Sequence, residues 1–516
     1  MVYNVKNFGA KANGVETDTS AIQNAVDECS RNGGGRVLIP AGEYLAGKVI
    51  LKDNVTVEIA EGATILASAN PEDYPATSGP ENSLFKNSKI VDGRSRRVAV
   101  FYACEAKNIG IVGRGTVDGR FKLSMKTGID GSWNPKYRWI SDGRDYDIYR
   151  PVDPMFRPLL VFIEACEDVR LDGVNYINAP CYTLQFRSSE RINISDVNIK
   201  NNLGANNSDG IHFSSCKDVR IINCDLICGD DAIAIDSNDG TPSENFAISN
   251  CIFTSRNNCF RIFTCLGNQQ SKRELLKWGR VSDISISNCV ARSASSFVYI
   301  NVDQGEAERI SITNITGKID KMGTCFLMTA HGAKIKGVTL SNWNLVSNGV
   351  GYIYTDTKNS ISNIKISNFN VKVCPTTKVF GNGFYMPTTK ESDGVVGLPF
   401  YWLSHFAPYF LQIFGAKNLS LSSVLIEWGQ ADIDDIEEIA DTSVLPENWP
   451  RPFGHFPAWP AIMAECVENL KLNDVTCSAF GDYESAIELL DVRDATISGC
   501  PENIAVYSKN EKTEII

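Results

Sequence analysis

Residues 192–199, Ile192-Asn-Ile194-Ser-Asp196-Val-Asn-Ile199, and residues 219–226, Val219-Arg-Ile221-Ile-Asn223-Cys-Asp-Leu226, carry one pattern 27 positions apart. Each reads apolar-x-apolar-x-Asn/Asp. The same signature, with Gly at the fifth place in the first two, stands at Ile109-Gly-Ile111, Val169-Arg-Leu171, Phe246-Ala-Ile248, Ile284-Ser-Ile286, Ile310-Ser-Ile312, Val338-Thr-Leu340 and Ile364-Lys-Ile366. From Val169 the anchors step by 23, 27, 27, 38, 26, 28 and 26 residues. Period-2 alternation marks short strands with one buried face, and the Asn, Ser and Gly that follow supply turns tolerating left-handed backbone. A period in the twenties with several short strands per repeat is a solenoid signature. Leucine-rich repeats share such periods but need a Leu-x-x-Leu-x-Leu spacing, which is missing, and a β-sandwich would space its strands unevenly. The expected fold is therefore all-β, a right-handed parallel β-helix running as a single domain over residues 1–516.

The flanks fit. Residues 14–31 offer Asp18 and Thr19 as N-cap candidates and then place Ile22, Val26 and Cys29 on one helical face. A helix there would cap an open solenoid end, which otherwise exposes strand edges. Three loop insertions interrupt the repeat, at 120–157, 374–408 and 428–461. The first holds Trp133, Tyr137, Arg138, Trp139, Tyr146 and Tyr149, an aromatic density that argues against disorder and for contact with a ligand.

Composition narrows the partners. The 516 residues carry 50 Lys and Arg against 61 Asp and Glu, a formal charge of −11, without a Lys/Arg tract, so nucleic acid is not expected. No apolar run approaches the roughly 18 residues of a membrane span. The start, Met1-Val-Tyr-Asn-Val-Lys-Asn-Phe-Gly, lacks a signal peptide's apolar core, so the expected location is cytoplasmic. Sixteen cysteines are too dilute for a disulfide scaffold, and none forms a zinc CxxC pair. Cys216, Cys224, Cys251 and Cys289 recur at one place in the repeat, as stacked free thiols at a turn in a reducing compartment would.

Aligning the repeats by their strands sets Ser208-Asp209-Gly-Ile-His212-Phe beside Asp230-Asp231-Ala-Ile-Ala-Ile-Asp236, so Asp209 falls over Asp231. Neighbouring coils lie about 4.8 Å apart, a separation at which like charges repel and at least one pKa rises. One outward face gathers Tyr182, Gln185, Asp209, His212, Asp230, Asp231, Asp236, Asn258, Arg261, Tyr299 and Asn301, an inventory suited to sugars. Two other accounts stand beside it: Asp and Asn as ordinary turn residues, and a Ca²⁺ site of three or four carboxylates.

The phrases Asn207-Ser-Asp209-Gly-Ile, Ser214-Ser-Cys216-Lys-Asp-Val and Cys228-Gly-Asp230-Asp231-Ala-Ile-Ala-Ile resemble glycoside hydrolase family 28, the polygalacturonase family of right-handed parallel β-helices. Gly113-Arg-Gly-Thr-Val-Asp-Gly119, Arg157-Pro-Leu-Leu-Val-Phe-Ile163 and Phe8-Gly-Ala-Lys-Ala-Asn-Gly14 add support, and the similarity spans about residues 3–345. The resemblance implies hydrolysis of a glycosidic bond with inversion, Asp230 serving as general acid while Asp209 and Asp231 activate water. No cofactor and no metal are expected, and the partner is an oligosaccharide or polysaccharide; the outward face and the aromatic insertion offer His212, Asp236, Asn258, Arg261, Tyr182, Gln185, Tyr299, Asn301, Trp133 and Trp139 as contacts to it.

The departures matter equally. Where the family normally has Gly-His-Gly, this chain reads Arg256-Asn257-Asn258. The Arg-Ile-Lys that grips a substrate carboxylate should fall near Tyr299-Ile-Asn301, and the lysine after the Ala-Ile-Ala-Ile strand is Asp236. Bidentate carboxylate recognition needs an Arg fork, so a neutral sugar in the cleaved subsite is expected. The aromatic insertion at 120–157 adds an expectation of exo action. Competing classes are a β-helix lyase, epimerase or intramolecular glycosyl transferase, and a non-catalytic carbohydrate-binding β-helix.

Overall fold

The computed structural model describes residues 1–77, 79, 98–121, 123–125, 146–148, 157–203, 205, 207–237, 240–264, 279–320, 323–375, 410–430, 459–507 and 513–515. Among these, residues up to 256 together with residue 279 form one compact unit, and residues 257–264 with those from 280 onward form a second. Both are built from short strands that pair in parallel with the strand one coil away, the arrangement of a right-handed parallel β-helix.

The sequence anchors are the core columns. In the first unit Ile109, Val169, Ile192, Val219 and Phe246 are successive Cα partners. In the second, Ile284, Ile310, Val338 and Ile364 continue through Leu419, Leu470 and Ala495, past the last anchor read from the sequence. All twelve are buried. Within the strand Glu190–Ser195, Ile192 and Ile194 point inward while Asn193 is exposed, so the alternation does the packing that the pattern demands.

The polar punctuation closes the coils. Asp196, Asn223 and Asn250 take φ of 55°, 58° and 57°, and Asn288, Asn314, Asn342 and Asn368 take 55°, 58°, 58° and 50°. Asn tolerates this left-handed backbone better than most residues, and its amide both donates and accepts. Thus Asn314 donates to Asn288 at 2.9 Å, Asn342 to Asn314 at 3.0 Å and Asn368 to Asn342 at 3.0 Å, a ladder along the turns. Cys216, Cys224, Cys251 and Cys289 are buried free thiols, each donating to the carbonyl two residues before it at 3.5, 3.4, 3.2 and 3.2 Å. Every described cysteine is free.

The helix spans Thr19–Arg31, with Ile22, Val26 and Cys29 buried against the strands Val2–Asn4 and Gly35–Ile39. It starts later than residue 14 because Asn13–Thr17 forms a strand pairing with Gly42–Ala46. Asp18 holds the N-cap position, yet its carboxylate accepts the N–H of Lys11 at 2.6 Å and of Ala12 at 3.0 Å, tying down the preceding loop instead of the helix.

A second sheet in the first unit stacks Ala99–Cys104, Leu159–Glu164, Leu184–Arg187, Ile211–Ser214 and Ile233–Asp236. A sheet of the second unit includes Ser296–Val302, Thr324–Ala330, Gly351–Thr355, Leu411–Phe414 and Ile462–Glu465. The spans 120–157, 374–408 and 428–461 each end just before a strand of these sheets, and the register resumes unbroken as Leu159↔Ala99, Leu411↔Gly351 and Ile462↔Leu411. Asp209 and the pair Asp230-Asp231 sit at the same place in their coils, ahead of Ile211–Ser214 and Ile233–Asp236. Within 120–157 the strands Leu123–Met125 and Tyr146–Ile148 pair antiparallel. Most of the three spans, with Trp133, Tyr137, Arg138, Trp139 and Tyr149, lies outside the described residues.

Candidate active site

The parallel register of the first unit sorts its outward side chains into columns. Gln185, His212 and Ala234 are successive partners, as are Glu164, Arg187, Ser214 and Asp236. Ahead of these strands, Thr183 N–H donates to the Asp209 carbonyl at 3.0 Å and Gly210 N–H to the Asp231 carbonyl at 3.0 Å. The same register carries Tyr182, Asp209 and Asp231 into one column. Glycine makes the approach possible: a Cβ on Gly210 would lie 2.5 Å from the Ala232 carbonyl, and one on Gly229 would lie 2.4 Å from that of Ala205. Each of these glycines adjoins an aspartate of the cluster.

Enclosure is nearly complete. Asp209, His212, Asp231 and Asp236 are 4%, 5%, 7% and 3% exposed, whereas Asp230 is half-buried. His212 bridges two of these carboxylates, with Nδ1 at 3.1 Å from Asp209 Oδ2 and Nε2 at 2.9 Å from Asp236 Oδ2. Tyr182 stacks on the imidazole at 4.6 Å between ring centroids. Burial is the largest single influence on the ring and disfavours its charge, but the hydrogen bonds and charges of Asp209 and Asp236 together outweigh it and push the imidazole up to about 9. Expected as a substrate contact, His212 has both nitrogens committed to carboxylates.

Asp236 Oδ2 also accepts the Ser214 hydroxyl at 3.1 Å, while its Oδ1 and the Oε1 of Gln185 are buried with no hydrogen-bond partner. Asp230 has its own donors: Oδ2 accepts the Asn207 N–H at 3.0 Å and Oδ1 accepts the Asp231 N–H at 3.1 Å.

Sequence reading missed the neighbours on the preceding coils. Arg187, 6% exposed in its side chain, lies 3.5 Å from Glu164, 1% exposed, and over the Phe162 ring at 5.3 Å. The Tyr102 hydroxyl donates to Glu164 at 3.3 Å, and Lys48 stands 5.6 Å over the Tyr102 ring. The signal lies in the register, since Glu164 and Arg187 precede Ser214 and Asp236 in one column.

Asn258, Arg261, Tyr299 and Asn301 belong to the second unit. There Arg261 donates to Asn301 at 3.3 Å and lies over the rings of Tyr299 at 4.8 Å and Phe263 at 5.1 Å. Asn301 donates onward to Thr329 at 2.9 Å, and Ser296 donates to Asn258 at 2.6 Å. Trp133 and Trp139 lie outside the described residues. Among the described residues no group of three or more His, Cys, Asp or Glu side chains is arranged to hold a metal.

Residues 29–258, which contain the whole carboxylate cluster, match the model of the glycosyl hydrolases family 28. This part of the chain is similar to that family. The chain is 28% identical over 289 residues to an exo-poly-alpha-D-galacturonosidase of Dickeya chrysanthemi, covering 49% of this chain and 46% of that protein. To a probable polygalacturonase of Vitis vinifera it is 24% identical, covering 63% of this chain and 62% of the relative. The chain thus spans less than two thirds of either relative's length. Its fold is similar to that of the family 28 exopolygalacturonase of Yersinia enterocolitica, with a TM-score of 0.60 and 21% identity over 84% of this chain and 77% of the other. The similarity accounts for the β-helix; the chemistry has to be argued from the side chains.

Proposed function

We propose that this chain hydrolyses a glycosidic bond of a pectin-like polysaccharide or its fragments, with inversion. The supporting observation is the convergence of Asp209 and Asp231 in one enclosed column with Asp230 beside them, half-buried. In this scheme Asp230 gives its proton to the leaving glycosidic oxygen as the C–O bond breaks. A water held by Asp209 and Asp231 forms the new bond from the opposite face and yields its proton to that pair. Product analysis tests the reaction class: a reducing end with a new hydroxyl is expected, and an unsaturated ring or no product at all would overturn hydrolysis.

Exo action on short oligosaccharides is the finer proposal. A site in which Asp209, Asp231 and Asp236 are 3–7% exposed and Asp230 is half-buried favours a chain end over the middle of a polymer. Viscosity of a pectic polymer is expected to fall slowly while reducing sugar accumulates. A rapid fall in viscosity ahead of reducing ends would identify mid-chain cleavage and reject exo action.

The sugar whose bond breaks is proposed to offer hydroxyls, not a carboxylate, to this face. The cations Arg187 and His212 are each engaged by carboxylates. A uronate entering there would meet like charge in a partly desolvated site, where repulsion exceeds its value in bulk water. Initial rates on the best oligosaccharide are therefore expected to change less than about twofold between 20 and 300 mM salt. An unsubstituted galacturonate oligomer proving the best substrate, with Arg261→Ala abolishing its binding, would reject this assignment.

A further inference from the structure

We propose that His212 is a positioning residue: a doubly protonated imidazolium that ties the water-holding Asp209 to Asp236 and thereby fixes the direction of the Asp209 carboxylate. The role given to Asp209 above is assumed here; the clamp itself is readable without it.

Hydrogen-bond chemistry carries the assignment. Both ring nitrogens face carboxylate oxygens, at 3.1 and 2.9 Å. A neutral imidazole has one N–H, so its second nitrogen would set a lone pair against a carboxylate oxygen. Two N–H donors satisfy both contacts. The Tyr182 face stacked at 4.6 Å further supports the charge, and the two carboxylates outweigh the cost of near-complete exclusion from water, His212 being 5% exposed. In the first unit, the titratable and charged groups around the His212 strand include Tyr182 and Arg187 on the preceding coil and Asp230, Asp231 and Asp236 on the following one, with Asp209 on the coil of His212 itself. Ala234, the next residue in the His212 column, adds no competing polar atom.

The sign of the pH dependence follows. Because the imidazole is pushed from 6.5 up to about 9, the clamp is complete below about 6.5 and is lost as pH rises through 9. Deprotonation leaves one nitrogen facing a carboxylate it cannot satisfy, and Asp209 loses its fixed direction. Asp236→Asn removes the conflict, since the new amide can donate to the bare nitrogen while Nδ1–H stays on Asp209. Activity with an alkaline limb near pH 9 is thus expected in the wild type, and Asp236→Asn is expected to abolish that limb. His212→Gln is expected to lower kcat by ~10²-fold at all pH values with KM changed less than threefold, the scale of a misdirected catalytic group.

A second readout is independent of activity. With four histidines in the chain, the His212 ring can be assigned in a ¹⁵N spectrum by comparison with His212→Gln. At pH 7 both of its nitrogens are expected to carry protons, with a midpoint near 9 that falls by more than one pH unit in Asp236→Asn. A midpoint near 6.5, or a folded His212→Gln with the wild-type kcat and pH profile, would overturn the assignment. An imidazolium seen by NMR in a protein inactive on every pectic oligosaccharide would keep the clamp and reject the hydrolase.

Discussion

Asp230→Asn is expected to lower kcat by at least about 10²–10⁴-fold, the usual contribution of a general acid, and to leave KM and the melting temperature nearly unchanged. The substitution preserves shape and still lets Oδ1 accept a backbone N–H, but the amide has no proton of suitable acidity for the leaving oxygen. Half-burial means that no fully desolvated charge is released or stranded by the change. The discriminating control is the leaving group: an activated aryl glycoside, which departs without protonation, should recover much of the lost rate. A folded Asp230→Asn enzyme with wild-type turnover on natural oligosaccharides would remove Asp230 from the mechanism.

Trp343→Ala is expected to give the largest loss of stability, about 3–5 kcal/mol, the range for emptying a buried Trp or Phe site. The indole is 1% exposed and packs edge-on against Phe297 at 5.2 Å and Phe326 at 6.4 Å, with Phe369 tilted at 5.6 Å. Its N–H donates to the Ile312 carbonyl at 3.1 Å, so truncation also strips a buried acceptor of its donor. Trp343→Phe should lose less because most of the volume stays. Urea unfolding followed by circular dichroism checks both. An alanine variant with the wild-type midpoint would mean that neighbouring rings collapse into the space, contrary to the close packing of the second unit.

The fold was legible because a solenoid writes each structural decision many times. Val169, Ile192 and Val219 had to be separated by similar steps to share a column, and Asn223 or Asn314 had to be residues comfortable at positive φ. The vertical match of Asp209 with Asp231 came from the same periodicity. What stayed hidden was side-chain direction within a column. Periodicity places His212 between Gln185 and Ala234, but it cannot say that the ring turns along its own coil to Asp209 and diagonally to Asp236. Nor does it reveal that Arg187 belongs to Glu164, because that pairing depends on residues with no repeat of their own. The early start of the predicted helix has a similar cause: residues 13–17 are drawn into a strand by Gly42–Ala46, a partner that lies well along the chain.

The corner of the coil at which three long spans insert is also where the candidate acids stand. Residues 120–157, 374–408 and 428–461 all rejoin immediately before a sheet strand, with the register undisturbed. Asp209 and Asp230-Asp231 occupy that same position in coils with short connections. For a lineage of such chains this separates two kinds of inheritance. Insertions and deletions at this corner can be tried freely, since no column shifts and no core residue changes its neighbour. Substitutions at Gly210 or Gly229 cannot, because backbone carbonyls already fill the space a side chain would need. Length can thus change at this corner of a coil while the glycines beside Asp209 and Asp230 keep the backbone in step.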